Sequence, residues 1–320
     1  MHLSNTRHGC GMRTETDALM LSAGMALFLG VTGLVLSVIT GSQVILLDGL
    51  FNLIYSVMAF LSVRVARLLA MPDNEKYPFG HAYFESLVNA AKGLLILGIS
   101  LLALGDSVLV LLSGGRDIVA DLAILYSVIA TTSSIATFLL LRRARRHTTS
   151  PLVEADFANW WINTVISASV LVAFCLIPLA DAVGFSVITP YVDPLMVATV
   201  VVLFCLSTPF RMASDAIKEL LNRAPPKHVR QPVHDVVEAV VAEWGAEDFS
   251  LRMVRPGRTL YLLVHVVLPE ASDSGSLGQQ DRIRTDLDGR LRRILPSLVL
   301  DVVFTADPRW AAPTNGHEPI

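Results

Sequence analysis

The chain is poor in charge. Of its 320 residues only 17% are Asp, Glu, Lys or Arg, against 53% hydrophobic. Soluble domains carry about 25% charged residues, so this chain cannot cover a globular surface with charge. The apolar content also excludes a largely disordered chain. There is no basic excess, with 25 Lys+Arg against 28 Asp+Glu, which argues against nucleic acid as a partner. Cysteine is scarce as well: Cys10, Cys175 and Cys205 are far apart, with no Cys-x-x-Cys pair and no disulfide framework. No nucleophile–base arrangement or metal-hydrolase motif stands in the apolar segments, so an enzyme is disfavoured.

What is present in quantity is hydrophobic length. Ala18 to Leu47 is a 30-residue run without charge, too long for a signal-peptide core of roughly 7–15 residues. A spanning helix needs about 20 apolar residues. Thr40-Gly41-Ser42 breaks the run, which predicts spans at 18–40 and 43–66. Further spans are predicted at 83–112, 122–141, 157–180 and from Asp193-Pro194 to about Phe210. Lys and Arg favour cytoplasmic loops. Arg64, Arg67 and Lys76 fall in one connection and Arg142, Arg143, Arg145 and Arg146 in another. Turns on the opposite side hold only Arg116. Both termini are therefore expected in the cytoplasm of a multi-pass protein of the cell (inner or plasma) membrane. The arginine run also suits anionic lipid headgroups.

Beyond residue 208 the charges become dense. Val233, Val236, Val237, Val240, Val241 and Trp244 form one stripe of an amphipathic helix. Strands are predicted at 248–254 and 259–268, split by Arg255-Pro-Gly-Arg258, then a helix at 276–294 and a strand at 298–304. The expected organisation is a polar tail at 1–17, an all-α six-helix transmembrane bundle at 18–208, a small α+β cytosolic domain at 209–310 and a disordered tail at 311–320.

Polar residues at membrane depth are costly and point to function. The second span carries Asp48 and Asn52, the fifth Asn159 and Asn163, each pair spaced i, i+4 and so on one helix face. Facing one another, they would offer four oxygen-bearing side chains to a cation. A bland alternative is that the Asn side chains hydrogen-bond between helices. Lys92 lies nine residues into the third span, ~13 Å deep, and is expected to snorkel or to pair with Asp48 or Glu85.

Several motifs carry a resemblance: Tyr77-Pro-Phe-Gly-His-Ala-Tyr-Phe-Glu85, Glu154-Ala-Asp156, Asp193-Pro194, Glu219-Leu-Leu-Asn-Arg-Ala-Pro225 and Ala306-Asp-Pro308. With the six spans, they resemble the cation diffusion facilitators, and the likeness runs from about residue 18 to 310. The resemblance implies a homodimeric metal/proton antiporter with a ferredoxin-like cytosolic domain and a transport site made of the span 2 and span 5 pairs. Zinc-type members show Asp or His followed by Asp in each pair. Here Asp48 matches and Asn52, Asn159 and Asn163 depart.

One carboxylate and three amides are a poor set for Zn²⁺. They suit a harder ion such as Mn²⁺ or Mg²⁺, or a monovalent one, and manganese-type members of the family use Asn in such sites. Fe and Co are not distinguished from these, and no permanently bound cofactor is expected. Asp48 is the one titratable member, so a one-for-one exchange of cation and proton at Asp48 is the simplest mechanism. By the same resemblance His81 and Asn74 fall where some members hold a second metal, with Tyr77 in place of a His. His265 and Asp307 match positions of zinc-sensing members, with Thr305 in place of a partner His. The alternative reading is a non-transporting relative that acts as a membrane scaffold or as a sensor through its cytosolic domain.

Overall fold

The computed structural model describes residues 7–69, 71–145, 151–269 and 276–311. Six of its helical segments are long and apolar enough to cross a membrane. Helices α1 (Arg7–Thr40), α2 (Gln43–Leu69), α3 (Tyr83–Leu112), α4 (Ala120–Arg145) and α5 (Pro151–Ala182) provide five. The first begins at Arg7, within the segment expected as a polar tail. Two residues, Gly41 and Ser42, suffice to turn α1 into α2, because Gly41 takes φ +72. The expected tail from 311 onward, from its second residue, and Arg146 of the arginine run lie outside the described residues.

The sixth span corrects the sequence expectation. It does not start at Asp193-Pro194 but occupies Ser186–Cys205. It consists of a 3₁₀ turn (Ser186–Ile188), α6 (Thr189–Val200) and a π turn (Val201–Cys205), and α7 (Ser207–Leu220) follows. Pro190, not Pro194, takes the tolerated first-turn position. Pro194 is inside the helix and has no N–H to give the Pro190 carbonyl. That carbonyl accepts the Arg116 backbone N–H instead, at 2.8 Å. Gly115 permits the approach: it has φ +93, and a Cβ there would lie 2.5 Å from Pro190 Cβ.

The chain divides into two compact units, Met1–Arg64 with Ala91–Ala213 and Val65–Ala90 with Ser214–Ile320. The first buries Leu29, Ile45, Tyr126, Trp160, Phe174 and Val197 in one cluster. Its outer surface stays apolar, with Leu102, Leu109, Leu179 and Leu203 exposed, as hydrocarbon contact requires. Helices α1 and α2 meet at glycines. A Cβ on Gly49 would lie 2.9 Å from the Gly33 carbonyl carbon, and one on Gly30 would lie 2.8 Å from Leu53 N. Small residues let membrane helices approach this closely.

In the second unit, α8 (Lys227–Glu243), β1 (Asp248–Val254), β2 (Leu260–Val267), α9 (Leu277–Ile294) and β3 (Leu298–Thr305) follow the expected α-β-β-α-β order. The sheet order is β1-β2-β3, with β1 antiparallel and β3 parallel to β2. The stripe of α8 buries Val233, Val237, Val240 and Val241, and α9 buries Ile283, Leu287 and Leu291. Arg290 ties the helices together, 2.6 Å from Glu243 and 2.9 Å from Asp286.

The same unit contains the loop before α3. Tyr261 donates to the Phe79 carbonyl, and Arg258 pairs with Glu85 at 3.0 Å. Gly257 N donates to Ser86 Oγ at 2.9 Å and to Glu219 Oε2 at 3.1 Å. Tyr83 donates to Asn222, which sits at φ 56 after α7. The Tyr77–Glu85 and Glu219–Pro225 motifs thus form a socket for the β1–β2 turn.

Candidate cation site

Asp48 and Asn52 are brought onto one face of α2, as their spacing predicts. They bond each other: Asn52 Nδ2 donates to Asp48 O at 2.9 Å and to Asp48 Oδ1 at 3.2 Å. Tyr126 of α4, itself 2% exposed, donates its hydroxyl to Asp48 Oδ2 at 2.6 Å. On α5, Asn163 donates to Ser134 Oγ of α4 at 3.3 Å. Asn159 is exposed on the same helix.

Two adjoining cavities collect these side chains. A small one of about 40 Å³ is lined by Asp48, Phe51, Tyr126, Ser127, Asn163 and Ser167, among others. A larger groove of about 170 Å³ is lined by Asn52, Tyr55, Asn159, Trp160 and Asn163. Phe51, Asn163 and Ile166 border both. The four residues therefore do not face one another around a single point. Asp48 and Asn163 share the small cavity, Asn52 and Asn159 share the groove, and Asn163 stands between them. Asp48 is the one carboxylate among the residues lining either space.

Lys92 meets neither of its two expected pairing partners. It does not pair with Asp48, whose oxygens are held by Tyr126 and Asn52, nor with Glu85, which is held by Arg258. Its ammonium lies 3.9 Å from the centre of the Tyr55 ring, a cation–π contact, and within the field of Asp156. Asp156 in turn is hydrogen-bonded by Ser22, which accepts from Trp160 Nε1 at 2.7 Å.

The α2 helix that carries Asp48 has a fully satisfied N-terminus. Ser42 caps it, accepting from Ile45 N at 3.3 Å, and the Ser42 carbonyl takes Leu46 N. Asp193 of α6, with no exposed surface, accepts from Gln43 N at 3.0 Å, Val44 N at 3.3 Å and Ser42 Oγ at 2.5 Å. Arg116 lies 4.0 Å from Asp193 and 2.6 Å from Asp106. A negative charge at this helix end is favourable.

The remaining candidates stay apart. His81 is buried in an aromatic stack, 4.8 Å from Tyr77 and 6.0 Å from Phe84 between ring centres. Asn74 spends its side-chain oxygen on the Lys76 and Tyr77 N–H groups of its own turn. His265 lies on β2 opposite Ser250 and Val303. Burial, with Arg252 nearby, holds its imidazole below the ordinary value. Asp307 caps the 3₁₀ turn Pro308–Trp310 and pairs with Arg309 at 2.7 Å. Among the described residues, the three metal-capable side chains that do converge are His234, Asp235 and Glu238, exposed on α8.

Tyr126, Ser134 and Ser167 are the members of this neighbourhood that sequence reasoning missed. Ser167 follows Asn159 and Asn163 at the same i+4 interval. Tyr126 is the only phenol in its span, a polar group with few other uses there.

Six membrane-long helices with a carboxylate-lined cavity among them define a multi-pass membrane carrier, and comparison with known proteins agrees. The cation efflux transmembrane domain family matches residues 19–221, and the chain belongs to it. It is similar to the cation-efflux pump FieF of Shigella boydii serotype 18 (strain CDC 3083-94 / BS512), 25% identical over 277 residues, 87% of each chain. The FieF pump of Pectobacterium atrosepticum is 25% identical over 284 residues, 86% of this chain and 87% of its own. That of Klebsiella pneumoniae subsp. pneumoniae is 26% identical over 274 residues, 86% of each. The protein is a cation-efflux transporter and not a member of an enzyme family.

Proposed function

We propose that the protein exports a hard divalent cation, Mn²⁺-like rather than Zn²⁺, from the cytoplasm in exchange for protons. Asp48, Asn52, Asn159 and Asn163 form the ion's path, and Asp48 carries the charge that a cation or a proton neutralises. The observation behind this reading is the donor set: one carboxylate, with every other polar lining group an amide, a hydroxyl, a phenol or an indole N–H, apart from the Cys205 thiol at the groove. Hard oxygen ligands favour Mn²⁺ and Mg²⁺, whereas Zn²⁺ favours thiolate, imidazole and carboxylate. An alternating bundle around a site at mid-membrane is the general design of such carriers.

The transport bundle is assigned to residues 18–208 and the soluble domain to 209–310. The protein works as a homodimer, with both termini and the Arg142–Arg145 helix end on the cytoplasmic side of the cell membrane, against lipid headgroups. Lys92, His81, His265 and Asp307 are given modulating roles at most.

Uptake into proteoliposomes under an imposed pH gradient tests the reading, with Mn²⁺, Zn²⁺, Fe²⁺, Co²⁺, Mg²⁺ and Na⁺ compared in wild type and Asp48→Ala. Mn²⁺ or Mg²⁺ uptake that needs the gradient and disappears in the variant is expected. Zn²⁺ as the preferred ion refutes the ion assignment. Failure of every ion with folded protein favours a non-transporting scaffold.

A further inference from the structure

The small cavity beside Asp48 contains one polar group that nothing in the fold accounts for. Ser167 is 4% exposed, lines that cavity, and its Oγ has no hydrogen-bond partner among the described residues. Many hydroxyls on these helices bond back to the carbonyl four residues earlier, and others, such as Ser56 to Ala23, bond across to a neighbouring helix. Ser100 donates to Ile96, Ser127 to Ala123, Thr164 to Trp160 and Ser169 to Val165, all at 2.7–2.8 Å. This local bond is the easy solution for a hydroxyl in a membrane helix. Ser167 forgoes it, and a buried polar group without a partner is costly. Thr131 Oγ1 is also unpartnered, but it does not line the cavity.

Taking the proposed function as its basis, we infer that Ser167 is a direct ligand of the transported cation. The ion sits in the small cavity between Asp48, Asn163 and Ser167, one turn further along α5 than the Asn159–Asn163 pair. The volume of about 40 Å³ fits an ion and one or two waters, since a water needs about 10–15 Å³ by this measure. Asn52 and Asn159 line the groove beside it and belong to the approach. Asp48 keeps lone pairs for a metal although Tyr126 and Asn52 each donate to it, because each carboxylate oxygen accepts more than once. Carboxylate, amide and hydroxyl together are a hard, all-oxygen set.

The test is calorimetric titration of Mn²⁺ and of Cd²⁺ into the purified full-length protein in detergent. Wild type, Asp48→Ala, Ser167→Ala, Ser167→Cys and Ser169→Ala are compared, each with a melting temperature to confirm folding. Ser167→Ala is expected to weaken Mn²⁺ binding roughly tenfold, the scale of losses seen when a metal site loses one supporting group. Ser167→Cys places a soft sulfur at the same point and is expected to move the Mn²⁺/Cd²⁺ affinity ratio towards Cd²⁺ by at least about tenfold. A serine that merely packs would not give this metal swap. Ser169→Ala should bind as wild type. If Asp48→Ala loses binding while both Ser167 variants keep the wild-type affinities and ratio, Ser167 is not a ligand and the proposed function stands. If wild type binds neither metal, the proposed function falls, and this inference with it.

Discussion

Asp193 offers the sharpest test of how the site helix is held. Its carboxylate takes two backbone N–H groups at the start of α2 and the hydroxyl of Ser42, with Asp193, Ser42 and Val44 buried and Gln43 part-buried. Asp193→Ala leaves those donors without a partner at a largely enclosed helix end. A buried unsatisfied donor costs about 1–3 kcal/mol. Two backbone donors near the low end, with a smaller loss at the Ser42 hydroxyl, give about 3 kcal/mol of destabilisation. Arg116 limits the loss, because it keeps its 2.6 Å bond to Asp106. Ser42→Ala removes the capping oxygen from Ile45 N and should cost about 1 kcal/mol. The two residues share a hydrogen bond, so the double variant should lose less than the sum, by about 1 kcal/mol. Reversible unfolding in detergent micelles, followed by tryptophan fluorescence, measures all three. An Asp193→Ala protein within about 0.5 kcal/mol of wild type would refute the capping argument, since a surface change of no consequence falls in that range.

Other consequences are as direct. Gly49→Ala places a methyl group 2.9 Å from Gly33 backbone, so α1 and α2 must separate; the expected cost is about 1–3 kcal/mol, read from the same unfolding assay. Tyr126→Phe removes the donor to Asp48 Oδ2 and should destabilise the bundle by about 1–2 kcal/mol, while Asp48→Asn in the Tyr126→Phe background should cost less than in wild type. His265 titrates below its ordinary value of 6.5 in the fold, so protonation favours the unfolded chain. Stability of the C-terminal domain should be level above about pH 7 and should fall as the pH drops through 6.5, and His265→Gln should flatten that slope in pH-dependent melting.

Much of this protein is set by patterns local to the chain. Charge scarcity and uninterrupted apolar runs demand six spans, because backbone polar groups in hydrocarbon must be satisfied within the helix. The valine stripe of α8 and the strand–turn–strand at 248–267 follow from periodicity alone. The i, i+4 spacing of Asp48 and Asn52 put both on one face, and their mutual hydrogen bond is that geometry realised. Other features depend on which residues meet across long separations, and no local pattern encodes that. The sixth span starts earlier than its Asp-Pro pair suggests, because the carbonyl freed by Pro194 is taken up by Arg116, 74 residues away. Glu85 belongs to Arg258, 173 residues on, and Lys92 rests on Tyr55. Tertiary packing also decided that the four expected ligands divide between two cavities, and that a phenol from α4 and an unpaired hydroxyl from α5 join Asp48. A sequence names the groups able to bind a cation; only the packed helices determine which of their oxygens are already satisfied and which still face an open space.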